Sequence, residues 1–250
     1  MAVCLGDLLF LYVPIAVLIV YSFNAAKGIL TWQGWSLQWY LRLLEDRGLG
    51  VALWNSILIA AVSSMVSVLF GLGAAIAFER LPGPSRVWLD SALVLAVVMP
   101  EIVMGIGLLL LFVLIKLPLG LLTVMISHIA FTLPLVVLLL RARLRKLDPQ
   151  LEEAARDLGA TSWQVFRRVT LPLLRPAMLG AGLLAFAVSL DDFVVTYFTA
   201  GPGATTLPLL VYSMIKTGLS PEVNALSTLL LVASMALVAV SLMVQRQHGS

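Results

Sequence analysis

Three carboxylates stand where a carboxylate is expensive. Glu101 lies inside the apolar run from Trp88 to Ile115, and Asp191 and Asp192 lie inside the run from Ala177 to Phe198. Acidic side chains within a membrane span face a bundle interior, a partner charge or a water-filled path, because lipid does not solvate them. At a helical rise of ~1.5 Å per residue, Glu101 is about 20 Å from Trp88 and Asp192 about 22 Å from Ala177. Two helices thus bring acid to a similar depth. That suits a cationic solute: carboxylates replace the water an ammonium group loses, and aromatic faces add cation–π attraction. Trp39, Phe193 and Tyr197 are the aromatic candidates for such a path. Adjacent helical residues point about 100° apart. Asp191 and Asp192 therefore share one direction only if the helix is broken there. The alternative reading makes these acids structural pairs or caps. Pro100 beside Glu101 weighs toward a path, because a proline in a span frees a carbonyl that can line a cavity.

Other chemistry is poorly served. His128 has no second histidine or cysteine near it in sequence and reads as a hydrogen-bonded packing residue. The single cysteine, Cys4, excludes a disulfide within the chain and a cysteine metal cluster. No glycine-rich loop ends in Lys-Ser or Lys-Thr, so this chain is not expected to hydrolyse ATP itself. No catalytic residue and no metal ligand is assigned. Asp7 and Asp90 read as solvated residues near membrane ends.

The elements that must hold these acids are helices. Of the 250 residues, 61% are hydrophobic and only 12% are charged, so much of the surface meets lipid rather than water. Six stretches approach the ~20 apolar residues a span needs. They run from Leu5 to Phe23, Trp54 to Phe78, Trp88 to Ile115, Leu119 to Leu140, Ala177 to Phe198 and Val223 to Val244. The first begins with no basic region and reads as a retained span, not a leader. With the N-terminus inside, Arg80, Arg86, Arg141, Arg143, Arg145, Lys146, Arg156, Arg167, Arg168, Arg175 and Arg246 fall on inner segments. Lys27, Arg42, Arg47, Lys116 and Lys216 fall outside. This bias places both termini in the cytoplasm. The expectation is one all-α membrane domain over residues 1–250, with outer loops at 25–50 and 199–222 and an inner loop at 141–175. Trp32, Trp35 and Trp39 in the first outer loop read as an interfacial belt or as part of a docking surface.

The inner loop has internal order. Asp148 can cap a helix, Pro149 suits its first turn, and Gly159 is placed to end it. A second short helix opens near Thr161 or Ser162, with Trp163, Phe166 and Val169 on one face. Pro172 and Pro176 are expected to break the path before the fifth span. By pattern alone this is either a surface helix–turn–helix or an amphipathic linker on the headgroups.

The spacing resembles the Glu-Ala-Ala loop of ABC importer permeases. Glu153-Ala154-Ala155 is followed by Gly159 and then by Val169-Thr170-Leu171-Pro172, with Val169 where that family usually has Ile. The resemblance implies a type I, MetI-like permease fold in a bacterial inner membrane. It also implies that Glu153, Ala154, Ala155, Gly159, Leu171 and Pro172 dock on and couple to a separate ATPase, which carries the ATP and Mg. No cofactor is implied for this chain. Expected partners are a homologous second permease, two ATPase subunits, a periplasmic binding protein and membrane lipid, with no nucleic acid. Trp32-Gln33-Gly34, Trp39-Tyr40, Met99-Pro100-Glu101-Ile102-Val103-Met104, Ser189-Leu190-Asp191-Asp192-Phe193, Leu207-Pro208 and Ser220-Pro221-Glu222-Val223-Asn224-Ala225-Leu226 resemble the spermidine/putrescine branch. The alternatives are a permease for another organic cation, iron or phosphonate, or a stand-alone channel or secondary carrier.

Overall fold

The computed structural model describes residues 2–26, 28, 31–79, 81–217, 221–232 and 235. Arg80, Arg246, Lys27, Ser220 and half of the expected sixth span lie outside them. The side chains of Cys4 and Asp7 do as well. The described residues are helical, with one isolated antiparallel bridge between Asn24 and Trp35.

The chain divides into two units. The first holds residues up to Ser56 and again from Thr205. It contains α1 (Ala2–Tyr21), α2 (Gln38–Glu45), the start of α3 (Arg47–Glu79), and, after Thr205, α11 (Leu207–Thr217) and α12 (Pro221–Val232). Asn24 organises the turn after α1. Its amide donates to the Thr31 carbonyl at 2.7 Å and accepts the Ala26 and Gln33 N–H groups, while its own carbonyl takes the Trp39 indole N–H at 2.7 Å. Trp39, Leu43, Ala52, Leu207, Ala225 and Leu226 form the core of this unit. The Asn55 amide donates to the Thr205 carbonyl, and the Ser56 hydroxyl accepts the Leu207 N–H, so the returning chain is tied to α3 by polar contacts. The segment 25–50 contains α2 and the start of α3, and the segment 199–222 contains α11. Both helices have an apolar side to bury, and Leu207 is in the core.

The second unit runs from Ile57 to Ala204 among the described residues. It holds the rest of α3, α4 (Gly83–Val98), α5 (Glu101–Leu114), α6 (Leu121–Leu144), α7 (Pro149–Asp157), α8 (Ser162–Val165), a π-helical turn (Phe166–Thr170), α9 (Leu171–Asp191) and α10 (Val194–Thr199). Residues 47–79, 121–144 and 162–191 are each long and apolar enough to cross a bilayer. The third of these runs through α8, the π turn and α9. The α4–α5 pair is a fourth candidate, bent by 101° at Met99–Pro100. The bend falls at Pro100, the interruption within the run from Trp88 to Ile115: Pro100 has no N–H to continue the ladder, and its ring disfavours helical geometry for the residue before it.

The fifth expected span is also redrawn. Pro172 and Pro176 do not interrupt it. The Leu171 N–H bonds the Phe166 carbonyl five residues back, so the helix widens by one residue ahead of the prolines. That turn absorbs the bond Pro172 cannot make, and the helix continues to Asp191. The break falls at Asp192–Phe193, before Phe198, where the sequence pattern alone shows an unbroken apolar run. Trp88, Val98, Phe70 and Leu114 are each at least 68% exposed on these helices. Such a surface is a liability in water and appropriate to lipid.

Candidate functional site

Glu101 is the first residue of α5, and Asp191 is the last of α9. Both sit at breaks. The two broken segments are brought together because α10 packs on α5. Gly105, one turn after Glu101, makes this contact possible: a Cβ there would lie 2.8 Å from the Phe198 ring. The carboxylates of Glu101 and Asp191 are exposed and make no hydrogen bond or ion pair among the described residues. Phe193 and Tyr197 stack beside the break with ring centroids 5.6 Å apart, and Tyr197 is half exposed.

Asp192 is different. Its side chain is only 5% exposed. One oxygen accepts the Val195 N–H at 3.3 Å; the other accepts the Thr196 N–H and the Thr196 hydroxyl, each at 2.8 Å. These N–H groups open α10 and have no helical partner, so Asp192 caps that helix. Thr196 donates its one hydroxyl proton to Asp192 and must accept from His128 Nε2 at 2.9 Å. His128 Nδ1 is hydrogen-bonded to the Ser189 hydroxyl at 2.6 Å. The Ser189 oxygen also lies 3.1 Å from that of Ser63. His128 is therefore a packing residue with both ring nitrogens bonded, as its sequence setting suggests. The pair Asp191–Asp192 splits at the break: one carboxylate is open and the other is spent inside. Trp39 needs correction as a path residue. Its indole is 3% exposed in the core of the first unit with its N–H bonded, so it offers no face to a solute.

At the α7 end of the second unit lies a set of charges that the sequence reading divides among loops. Arg141 is 2% exposed. It donates from Nε to Glu79 at 2.9 Å and from Nη1 to Asp90, and it lies over the Phe78 ring. Arg145 donates to the same Glu79 oxygen at 3.0 Å and lies 3.7 Å from Asp90; Arg86 pairs with the other Glu79 oxygen. Asp90 is thus not merely solvated. It pairs with Arg141 on α6 and with Arg145 just past the end of that helix. The set fastens α3, α4 and α6 to one another. An acid at the end of one apolar helix and arginines one turn apart at the end of another were the available signal, but only packing shows which ends meet.

The segment 148–172 takes the form its residues favour. Asp148 accepts the Gln150 N–H at 3.0 Å, and Thr161 caps α8 reciprocally with Gln164. Gly159 has φ +84°, a conformation that excludes most side chains without strain. Glu153, Ala154 and Gly159 are exposed, Ala155 is half-buried, and Leu158 and Trp163 are 89% and 65% exposed. Leu171 and Pro172 are half-buried in the first turn of α9. Val165, not Trp163, is the residue buried on α8.

The second unit thus combines broken apolar helices, acids at the breaks and a capped, exposed helix pair before a long span. The family model for the binding-protein-dependent transport system inner membrane component matches residues 67–248, and the chain belongs to that family. It is a multi-pass membrane protein with the fold of a type I, MetI-like ABC importer permease. The putrescine transport system permease protein PotI of Escherichia coli (strain K12) is 43% identical over 230 residues, which are 89% of this chain and 82% of that protein. The spermidine/putrescine transport system permease protein PotC of the same strain is 40% identical over 237 residues, 95% of this chain and 90% of that one. A solved bacterial ABC transporter for alginate import superposes with a TM-score of 0.79 at 16% identity, covering 99% of this chain and 93% of that one. The MetNI methionine transporter gives 0.67 at 18% identity over 78% and 94%. Both solved structures speak to the fold alone.

Proposed function

We propose that this chain is one of two permease subunits of a polyamine importer in a bacterial inner membrane, spanning it six times with both termini in the cytoplasm. The observation that carries the reading is the pair of open carboxylates, Glu101 and Asp191, at the breaks of two apolar segments packed on one another. An ionised group against lipid costs about 3 kcal/mol by insertion scales. These two acids therefore face a water-filled path completed by a second, homologous permease. A polyamine presents several ammonium groups to such a path. Phe193 and Tyr197 supply aromatic faces beside it. The permeases PotI and PotC, alike over nearly the whole chain, support this solute class. Asp192 acts indirectly, by holding the break in shape.

The helix pair α7–α8 faces the cytoplasm and docks on a separate ATPase, which holds the ATP and Mg; two such subunits complete the inner side. Exposed Glu153, Ala154, Leu158 and Trp163 form the docking face, and Gly159 sets the turn. Segments 25–50 and 199–222 meet a periplasmic binding protein. Uptake of labelled putrescine and spermidine by the complete complex tests the solute class. Glu101→Gln and Asp191→Asn should each raise the half-saturating concentration about tenfold, the equivalent of ~1.4 kcal/mol. Unchanged values in both variants would defeat this site. For the docking role, Glu153→Arg or Gly159→Asp should leave ATP hydrolysis uncoupled from uptake.

A further inference from the structure

The seam between α7 and the root of α9 is poorly filled. No residue of α7 is buried. A cavity of about 180 Å³ lies on one side of the seam, lined by Ile76, Leu144, Val165 and Phe166 among others. A second, of about 140 Å³, lies on the other, lined by Leu147, Leu151, Val169 and Leu173 among others. Leu144, Glu152 and Thr170 line both, so they stand on the partition between them. With open space on both sides of its contact, apolar packing holds the register of α7 only weakly.

A hydrogen bond spans that partition. The Thr170 hydroxyl donates to Glu152 Oε1 at 2.6 Å. The other Glu152 oxygen accepts from Arg156 at 3.1 Å, one turn along α7, which orients the carboxylate. Thr170 is 6% exposed and is the last residue of the π turn. It stands at the point where the wide turn becomes α9, and α9 then runs without a break to Asp191. On the far side of the cavity, Glu79 belongs to the arginine set that fastens α3, α4 and α6. The frame is thus held by several ion pairs, while α7 is pinned to α9 by one charge-assisted bond.

We infer that Glu152 and Thr170 are positioning residues: their bond makes α7 and α9 move as one piece, so that displacement of the docked helix reaches the break at Asp191–Asp192. The pin rests on the proposed docking of α7–α8 on an ATPase. Bending is otherwise easy at the π turn, where the backbone ladder changes register. The bond links the two helices across the turn and removes that freedom.

The test is the number of solute molecules imported per ATP hydrolysed, measured on the complete complex in proteoliposomes with its binding protein. Thr170→Val removes the donor and keeps the shape. It should lower that ratio about tenfold or more while ATP hydrolysis persists, as loss of a single charge-assisted bond predicts. Thr170→Ser should restore the ratio. Combining Thr170→Val with Glu152→Ala should cost no more than the worse single change. A Thr170→Val complex with a normal ratio, or a double variant with additive losses, overturns the pin. Glu153→Arg serves as the control for the docking reading. If that variant remains coupled, docking itself fails; if it uncouples while Thr170→Val does not, only the pin fails.

Discussion

Two polar clusters hold the second unit together, and they are built on opposite plans. At the α7 end, Glu79 meets three arginines and Asp90 meets two. Around the α9–α10 break, one carboxylate serves two N–H groups and a hydroxyl, and a histidine bridges two hydroxyls. The first cluster is partly exposed and redundant, so one lost partner leaves others. The second is buried and has no spare acceptor. Redundancy suits a frame that only has to stay closed. A cluster with every bond assigned suits a break whose geometry must be single-valued, because Asp191 is aimed by it.

The sharpest way to break this contrast is Asp192→Ala. It strips two N–H groups and the Thr196 hydroxyl of their acceptor at once. The expected loss is about 3 kcal/mol, read as a lower thermal unfolding midpoint of the purified complex together with lost uptake. A variant with wild-type melting would remove the distinction between the clusters. Next comes Arg141→Met. It deletes the one arginine that is buried among the described residues, yet Arg86 and Arg145 still attend the two acids. The loss should be about 2 kcal/mol, less than for Asp192→Ala, with the half-saturating solute concentration unchanged. A larger effect than at Asp192 would reverse the ranking. The smallest change is Arg145→Gln. Its side chain is 49% exposed, and an ion pair so placed contributes about 0.5 kcal/mol. Combined with Arg141→Met it should exceed the sum of the two, since each covers for the other; simple additivity would show that the network is not redundant.

The limits of sequence reading follow the same physics. Caps and turns are local, and so Asp148, Thr161 and Gly159 could be assigned from neighbours alone. The long spans were legible because lipid imposes a minimum apolar length. The bend at Pro100 was only half legible: the proline marks an interruption, but its 101° angle depends on what α5 packs against. Trp39 was misplaced because an aromatic residue near a helix end looks the same whether it faces a path or a core. Asp90 was misplaced because its partners are 51 and 55 positions away at the end of α6. The α11 helix went unseen because Gly, Pro and Thr at its start signal a loop, while its apolar face matters only once Leu207 finds a core.

The sequence by itself determined that this protein is helical, apolar enough to live in lipid, and supplied with acids in its spans. It also determined the capped helix pair with its Gly159 turn. These follow from composition and from interactions within a few residues. Tertiary structure decided which acid is open and which is spent. Asp191 and Asp192 are neighbours of one charge in one apolar run, and no local rule separates them. The break after Asp191, together with the Val195 and Thr196 N–H groups and the Thr196 hydroxyl of α10, gives Asp192 three protein donors and leaves Asp191 none. That difference arises only where separate helices meet.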